Sequence, residues 1–355
     1  MKIIFYIFLI FLSACGEGTE ISVLNQDQIN AGIPTTVNTG QGSDQKYMKI
    51  ASFNIAELGN PDMNKDFKAI AKMVDGFDLI ALQEVQDVGG TEAVKKIHAE
   101  LNAIAASPYH LPLVIPGAGR GHPGNEGYAF IYRDPVRLDD RFSPAYDFRY
   151  DKKDHTIYSR VPAFAYFRAD RFDFVVATVH LVWGDIIRRK KEVTDIKKWL
   201  IEYANRGAAE ERDLIIVGDF NRYGDGQPQD NLTDAVIERH SAPFDVLVDA
   251  NEIAKTYRLI FLEFLKTLNT RFASLDAQST TTGTEGNLYD QIMISAGAFR
   301  EYDTIRSIFN ENIGVVAFDM ESPWKEKDHV AIKAAVSDHR PIWARFRTDL
   351  GDDDG

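Results

Sequence analysis

Two hydrophobic periods alternate along the chain. Met48–Ile55 (MKIASFNI) and Asp78–Val85 (DLIALQEV) read as strands. Between them, Asn64–Gly76 sets Phe67, Ile70, Ala71 and Val74 on one stripe at helical spacing. Thr91–Ala106 reads as a second helix. Tyr128–Arg133, Pro162–Ala169 and Phe172–Leu181 read as consecutive strands. Ile186–Asn205 is a long amphipathic helix with Val193, Ile196, Leu200 and Tyr203 inward, and Leu214–Val217 is a buried strand. Asn231–His240 and Glu252–Phe272 carry a helical pattern, and Gln291–Ser295 and Pro341–Phe346 close the series as strands. Helices interleaved with paired strands predict an α/β body with mixed sheets rather than a purely parallel one.

The two ends differ from this body. Ile3–Leu12 (IIFYIFLIFL) is an apolar run behind Met1-Lys2, too short to span a bilayer and of the length of a signal h-region. It leads into Leu12–Cys15 (LSAC), which resembles the lipobox of bacterial lipoproteins. That resemblance implies a signal peptide over residues 1–14 and a lipidated Cys15 that anchors the chain to the cell envelope. Cys15 is the single cysteine, so no intramolecular disulfide can form. Residues 15–46, rich in Gly, Thr, Asn, Gln and Ser, read as a flexible tether. Residues 47–348 are the expected folded domain, and 349–355 an acidic tail. With 45% hydrophobic and 26% charged residues and a mean hydropathy of −0.25, the composition is that of a globular protein. The formal charge of −13 gives no overall attraction for phosphate backbones, so an anionic substrate needs local cations.

Polar groups recur at strand ends. Asn54 ends the first strand, Glu84 the second and His180 the run VVATV; Asp219 and Asn221 follow LIIV. Glu126, Asp290 and the pair Asp338-His339 stand just before strands. Alone, each has an ordinary structural role: Asp and Asn in DFN suit a turn, and a Glu after a strand is usually solvated. Delivered repeatedly at strand ends, they fit a site built on a rigid scaffold.

In order, SFNI, LQEV, VHL, GDFN, LYDQI and SDHRP resemble the motif set of the endonuclease/exonuclease/phosphatase superfamily. NEGYAFIYR and SRVPAF (from Ser159) resemble its DNase I branch. The resemblance implies a four-layered α/β sandwich, two packed mixed β-sheets flanked by helices. It also implies divalent-metal-dependent phosphodiester hydrolysis, with Mg²⁺ expected and Mn²⁺ or Ca²⁺ as alternatives. Glu84, with Asn54 and Asp338, would hold the metal. Glu126 would pair with His180 and Asp290 with His339, and Asp219 would act on water or metal. Asn221, Arg160 and Asn54 would contact phosphate. Which imidazole is base and which acid stays open at this level.

Two positions depart from the DNase I pattern. Gln86 and Gly124 stand where that enzyme places Arg and Tyr in the minor groove. Arg120, His122, Lys152, Lys153 and His155 lie in loops that could supply other contacts, and Arg188–Lys191 (RRKK) reads as a solvent face. His329 has no motif support. DNA is the expected substrate. Phospholipid (sphingomyelinase-like) or inositol phosphate substrates are the alternative on the same fold. A catalytically inactive surface-binding protein predicts losses among these positions, and none is lost.

Overall fold

The computed structural model describes residues 46–117, 126–139, 146–148, 158–204, 210–221, 289–295, 297–298, 301–302 and 313–351. They belong to one compact unit, Gln45–Gly355. The expected signal, Cys15 and tether, the helices at 231–240 and 252–272, and Arg120, His122, Gly124, Lys152, Lys153 and His155 lie outside the described residues. So does most of the acidic tail.

The strands are β1 (Tyr47–Leu58), β2 (Leu79–Gln86), β3 (Leu113–Ile115), β4 (Glu126–Tyr132), β5 (Val136–Leu138), β6 (Tyr146–Phe148), β7 (Ala163–Ala169), β8 (Phe172–His180), β9 (Leu214–Asp219), β10 (Asp290–Ile294), β11 (Ile313–Val315) and β12 (Ile342–Arg347). The helices are α1 (Phe67–Val74), α2 (Gly90–Ile104), α3 (Ile186–Ala204) and α4 (His329–Ala335). One sheet runs β11-β12-β1-β2-β4-β3; the other runs β10-β9-β8-β7-β5, with β6 also on β7. Both are mixed. β1 is parallel to β2 and β8 to β9, while β2–β4 and β7–β8 are antiparallel. This is the expected α/β sandwich. The short strands β3, β5, β6 and β11 and helix α4 carry too few apolar positions to show a period in the sequence.

Three apolar layers hold it together. Met48, Ile50, Phe130, Phe167, Phe174, Ile215 and Val217 fill the space between the sheets. Phe53, Leu82 and Ile131 turn the other way, onto Ile70 and Val74 of α1 and Val94, Ile97 and Leu101 of α2. Val175, Val179 and Ile216 pack on Ile196 and Trp199 of α3. Helix α1 starts later than its pattern suggests because the Asp66 carboxylate caps it, accepting from Ala69 N at 2.9 Å.

The inter-sheet layer changes character along its length. Side chains two apart share a face, so Met48, Ile50, Ser52 and Asn54 form one row. Leu79, Ala81 and Gln83 form a second, Phe174, Val176, Thr178 and His180 a third, and Ile215, Val217 and Asp219 a fourth. Each row runs from apolar to polar toward the same end. At the transition Ser52 Oγ donates to Gln83 Oε1 at 3.3 Å, and Gln83 Nε2 donates across the sheets to Thr178 Oγ1 at 3.0 Å. The next step beyond this polar tie is the site.

Candidate active site

Asp219 is the hub. Its Oδ2 accepts from Asn54 Nδ2 at 3.0 Å and lies 3.5 Å from both His180 Nε2 and His339 Nε2. Its Oδ1 accepts the Asn221 backbone N–H at 2.7 Å, with Asn221 at φ 50°. Asn221 Nδ2 donates to Leu181 O at 2.7 Å, tying this turn to the chain just past His180. Gly218 has φ 142°, and a Cβ there would sit 1.9 Å from Val179 O, so only glycine brings β9 this close to β8. That approach sets His180 opposite Asp219 in the register.

Glu84 reaches the site through a bulge. Leu82 pairs with Ala129 and Val85 with Gly127, so Gln83 and Glu84 together oppose Tyr128. Glu84 takes φ 59° there, a conformation that L-residues hold only where the surroundings enforce it. Its Oε1 accepts from Asn54 Nδ2 at 2.9 Å and its Oε2 from Glu57 N at 2.8 Å. Burial opposes its charge. The His180 charge, the Glu57 N–H, the Asn54 amide and the His339 charge outweigh burial and hold its pKa at about 2. The group is a carboxylate throughout the working pH range.

The two imidazoles are poised in opposite senses. Burial, then the Arg160 charge, depresses His180. Burial also works against charge on His339, yet the Asp290 and Asp219 carboxylates and the Asp290 hydrogen bond hold it well above the ordinary imidazole value. His339 Nδ1 meets Asp290 Oδ2 at 2.7 Å. His180 Nδ1 lies 3.5 Å from Glu126 Oε1, an oxygen that Arg160 Nε also engages. Arg160 Nη1 donates to Leu181 O at 3.4 Å. Asp338 points to Lys333, its Oδ2 accepting from Lys333 Nζ at 2.8 Å. The neighbouring Ser337 Oγ donates to Asn54 O at 2.6 Å and accepts from Ala56 N and His339 N, fixing the His339 loop to β1.

A divalent cation fits these groups. Glu84, Glu126 and His180 each offer one ligand atom, all within 4.8 Å of one another. Asn54 Oδ1, on the side chain whose Nδ2 binds Glu84, is a hard oxygen buried with no hydrogen-bond partner. Two carboxylates and an amide oxygen are the donor set of a hard cation.

Several residues here escape motif reading. Glu192 on α3 is fully buried, and its two oxygens accept Ser159 N at 2.7 Å and Val182 N at 2.8 Å. Those amides adjoin Arg160 and the segment after His180. Arg189, one turn earlier and 1% exposed, donates to Val182 O at 3.0 Å. The RRKK run is therefore not one solvent face. Arg189 is in the core and Arg188 is half-buried, with Lys190 and Lys191 exposed. The signal for it is a charged pair at helical spacing on the stripe that carries Val193 and Ile196. Replacing the carboxylate in Glu192→Gln turns an amide nitrogen against one of two backbone donors. The expected result is a roughly tenfold drop in kcat/KM, with Glu192→Asp intermediate. Equal kcat/KM in all three proteins would refute this.

Lys65 belongs to no motif either. It is buried, and its Nζ donates to Lys333 O and Val336 O at 2.8 and 2.9 Å, below the Asp338 turn. Burial lowers its pKa from 10.5 to about 8, more than the nearby carboxylates restore. Between those values the unfolded chain binds more protons, so stability rises with pH. The gain is on the order of 2–3 kcal/mol. Denaturant titrations from pH 8 to 10.5 should show this rise and its absence in Lys65→Met.

A sequence model of the Endonuclease/Exonuclease/phosphatase family matches residues 51–339. A deoxyribonuclease of Thioalkalivibrio sp. (strain K90mix) is 29% identical over 180 residues, covering 49% of this chain and 46% of the relative. The match thus spans about half the length of that relative. Among solved structures, an endonuclease/exonuclease/phosphatase family protein from Bacteroides thetaiotaomicron is 16% identical with a TM-score of 0.48, covering 87% of this chain and 98% of its own. Truncated Caenorhabditis elegans TDP2 is 14% identical with a TM-score of 0.47, covering 85% and 97%. The Bacteroides thetaiotaomicron mannosyl-6-phosphatase is 15% identical with a TM-score of 0.43, covering 84% and 99%. The family match runs from β1 to the His339 loop and so takes in every group gathered around Asp219: the chain belongs to the endonuclease/exonuclease/phosphatase family of divalent-metal-dependent phosphoester hydrolases.

Proposed function

We propose that the protein is a DNase I-like endonuclease that hydrolyses DNA phosphodiester bonds with Mg²⁺, exported and held at the cell envelope by lipidated Cys15. The observation that carries this reading is the pair of carboxylate–imidazole couples, Glu126 with His180 and Asp290 with His339, converging on Asp219. The deoxyribonuclease relative favours DNA among phosphoesters.

In this reading Glu84, Glu126 and Asn54 Oδ1 hold the cation. When bound it neutralises phosphate charge and stabilises the leaving oxygen. His180, kept neutral by burial and Arg160, accepts a proton from the attacking water at Nε2. Asp219, 3.5 Å from that nitrogen, stabilises the charge the imidazole then carries. His339, kept charged by Asp290 and Asp219, donates a proton to the departing oxygen. Arg160 and Asn221 contact the non-bridging phosphate oxygens, the guanidinium with a fork suited to them. Asp338 supports the site through Lys333.

Incubation of the chain with supercoiled plasmid and Mg²⁺ gives nicked and linear forms. EDTA and His180→Ala each remove them. If no cleavage occurs with Mg²⁺, Mn²⁺ or Mg²⁺ plus Ca²⁺, DNA is the wrong substrate, and phospholipid and inositol phosphate become the substrates to assay.

A further inference from the structure

Beside the site stands an aromatic that the chemistry above does not use. Trp183 is 66% exposed, whereas Trp199 and Trp324 are buried at 4% and 8%. Ile186 and Ile187 next to it are also exposed, at 36% and 73%. An exposed apolar cluster at the rim of a polar site marks a contact surface.

The segment that carries it is fixed at both ends. Val182 is held by Glu192 through its N–H and by Arg189 through its carbonyl. Asp185 caps α3, accepting Arg188 N at 2.9 Å. Between them Gly184, at φ 80°, makes the turn. The backbone that presents the indole is therefore held at a set place. Trp183 lies three residues past His180, so its Cα is at most about 11 Å from that of His180. At about 3.4 Å per stacked nucleotide this is within a few nucleotides of the phosphate being cut. Cations accompany it. Arg188 is near enough for its charge to act on both Arg160 and Glu192. An indole beside guanidinium groups suits a ligand with flat apolar faces joined by anions, which is a single nucleic-acid strand.

We propose that Trp183 is a stacking platform for an unpaired base near the scissile phosphate, with Arg188 facing the neighbouring phosphate, so that single-stranded or locally opened DNA is the preferred substrate. This rests on the nuclease reading. A paired base keeps its faces covered by its neighbours, whereas an unpaired one gains the indole at little cost.

The test compares wild type, Trp183→Ala and Trp183→Phe on oligodeoxythymidylate and on methyl p-nitrophenyl phosphate, a small diester that carries no nucleobase. Trp183→Ala should raise KM on the oligonucleotide about ten- to hundredfold. It should leave the small diester and the melting temperature unchanged, and Trp183→Phe should recover most of the loss. In the His180→Ala background with EDTA, oligodeoxythymidylate should quench indole fluorescence, and Trp183→Ala should remove the quench. Wild type that cleaves DNA while Trp183→Ala cleaves it equally well overturns the platform and leaves the nuclease standing. Wild type that leaves DNA intact overturns both. A blue shift with phosphatidylglycerol vesicles and no response to the oligonucleotide overturns the platform in favour of a membrane contact.

Discussion

Asp219→Asn lowers kcat on DNA about 10³- to 10⁴-fold, with the melting temperature held or raised. The side chain keeps its shape, so packing against β10 survives. What changes is charge at the one atom, Oδ2, that lies 3.5 Å from both imidazoles. His339 loses one of the two carboxylates that keep it protonated, and His180 loses a carboxylate that favours the charge it gains when its Nε2 takes a proton. Both proton-transfer groups are detuned together, so the loss exceeds that from either histidine's partner alone. Stability does not follow activity, because Glu84 shares the Asn54 amide with Asp219 and Asp290 feels its charge, so the repulsion relieved offsets the amide nitrogen newly set against a donor. Steady-state kinetics and a thermal melt of the same preparation decide the matter. A fall in kcat below tenfold would remove Asp219 from the proposed chemistry.

Gly218→Ala produces the opposite pattern, with stability and activity lost together. The new Cβ would meet Val179 O at 1.9 Å, and φ 142° is a region that residues with side chains avoid. Relief requires β9 to move away from β8 in the middle of a buried parallel pair. Val179 and Gly218 are register partners, and the next pair is His180 and Asp219. The unfolding free energy should drop by roughly 3 kcal/mol or more. The residual folded protein should be slow, because separation of the strands also separates the imidazole from its carboxylate. A chemical denaturation curve indistinguishable from wild type would show that the strands part at no cost.

Much of this was legible in the chain. The apolar runs of β1, β2, β7, β8 and β9 gave their own positions, and the period of Ile70, Ala71 and Val74 gave α1, because these elements are stabilised by side chains that alternate in register with the core. The residues converging on Asp219 were legible as polar groups that interrupt such runs. The pieces that stayed hidden are held by backbone rather than by pattern. The bulge at Glu84 is a change of φ, and nothing in LQEV signals it. Arg189 reads as part of the charged run RRKK, because a run of like charges masks a member that turns inward; its spacing with Glu192, Val193 and Ile196 is the sign that it does. Tyr128 shows the same limit: a tyrosine on a core strand whose hydroxyl is so buried that its pKa lies far above the ordinary value.

The Gln83–Thr178 bond joins one sheet to the other at the boundary between apolar core and site. Glu84, Glu126 and Asn54 come from one sheet, and His180 and Asp219 from the other. The chemistry is thus distributed across two plates that share a spacer, and the hydrogen bond acts as a gauge block between them. Loops around the rim can lengthen, shrink or change composition without disturbing that gap. Selection on substrate choice and selection on the reacting groups then fall on separate parts of the chain, and one can drift while the other stays still.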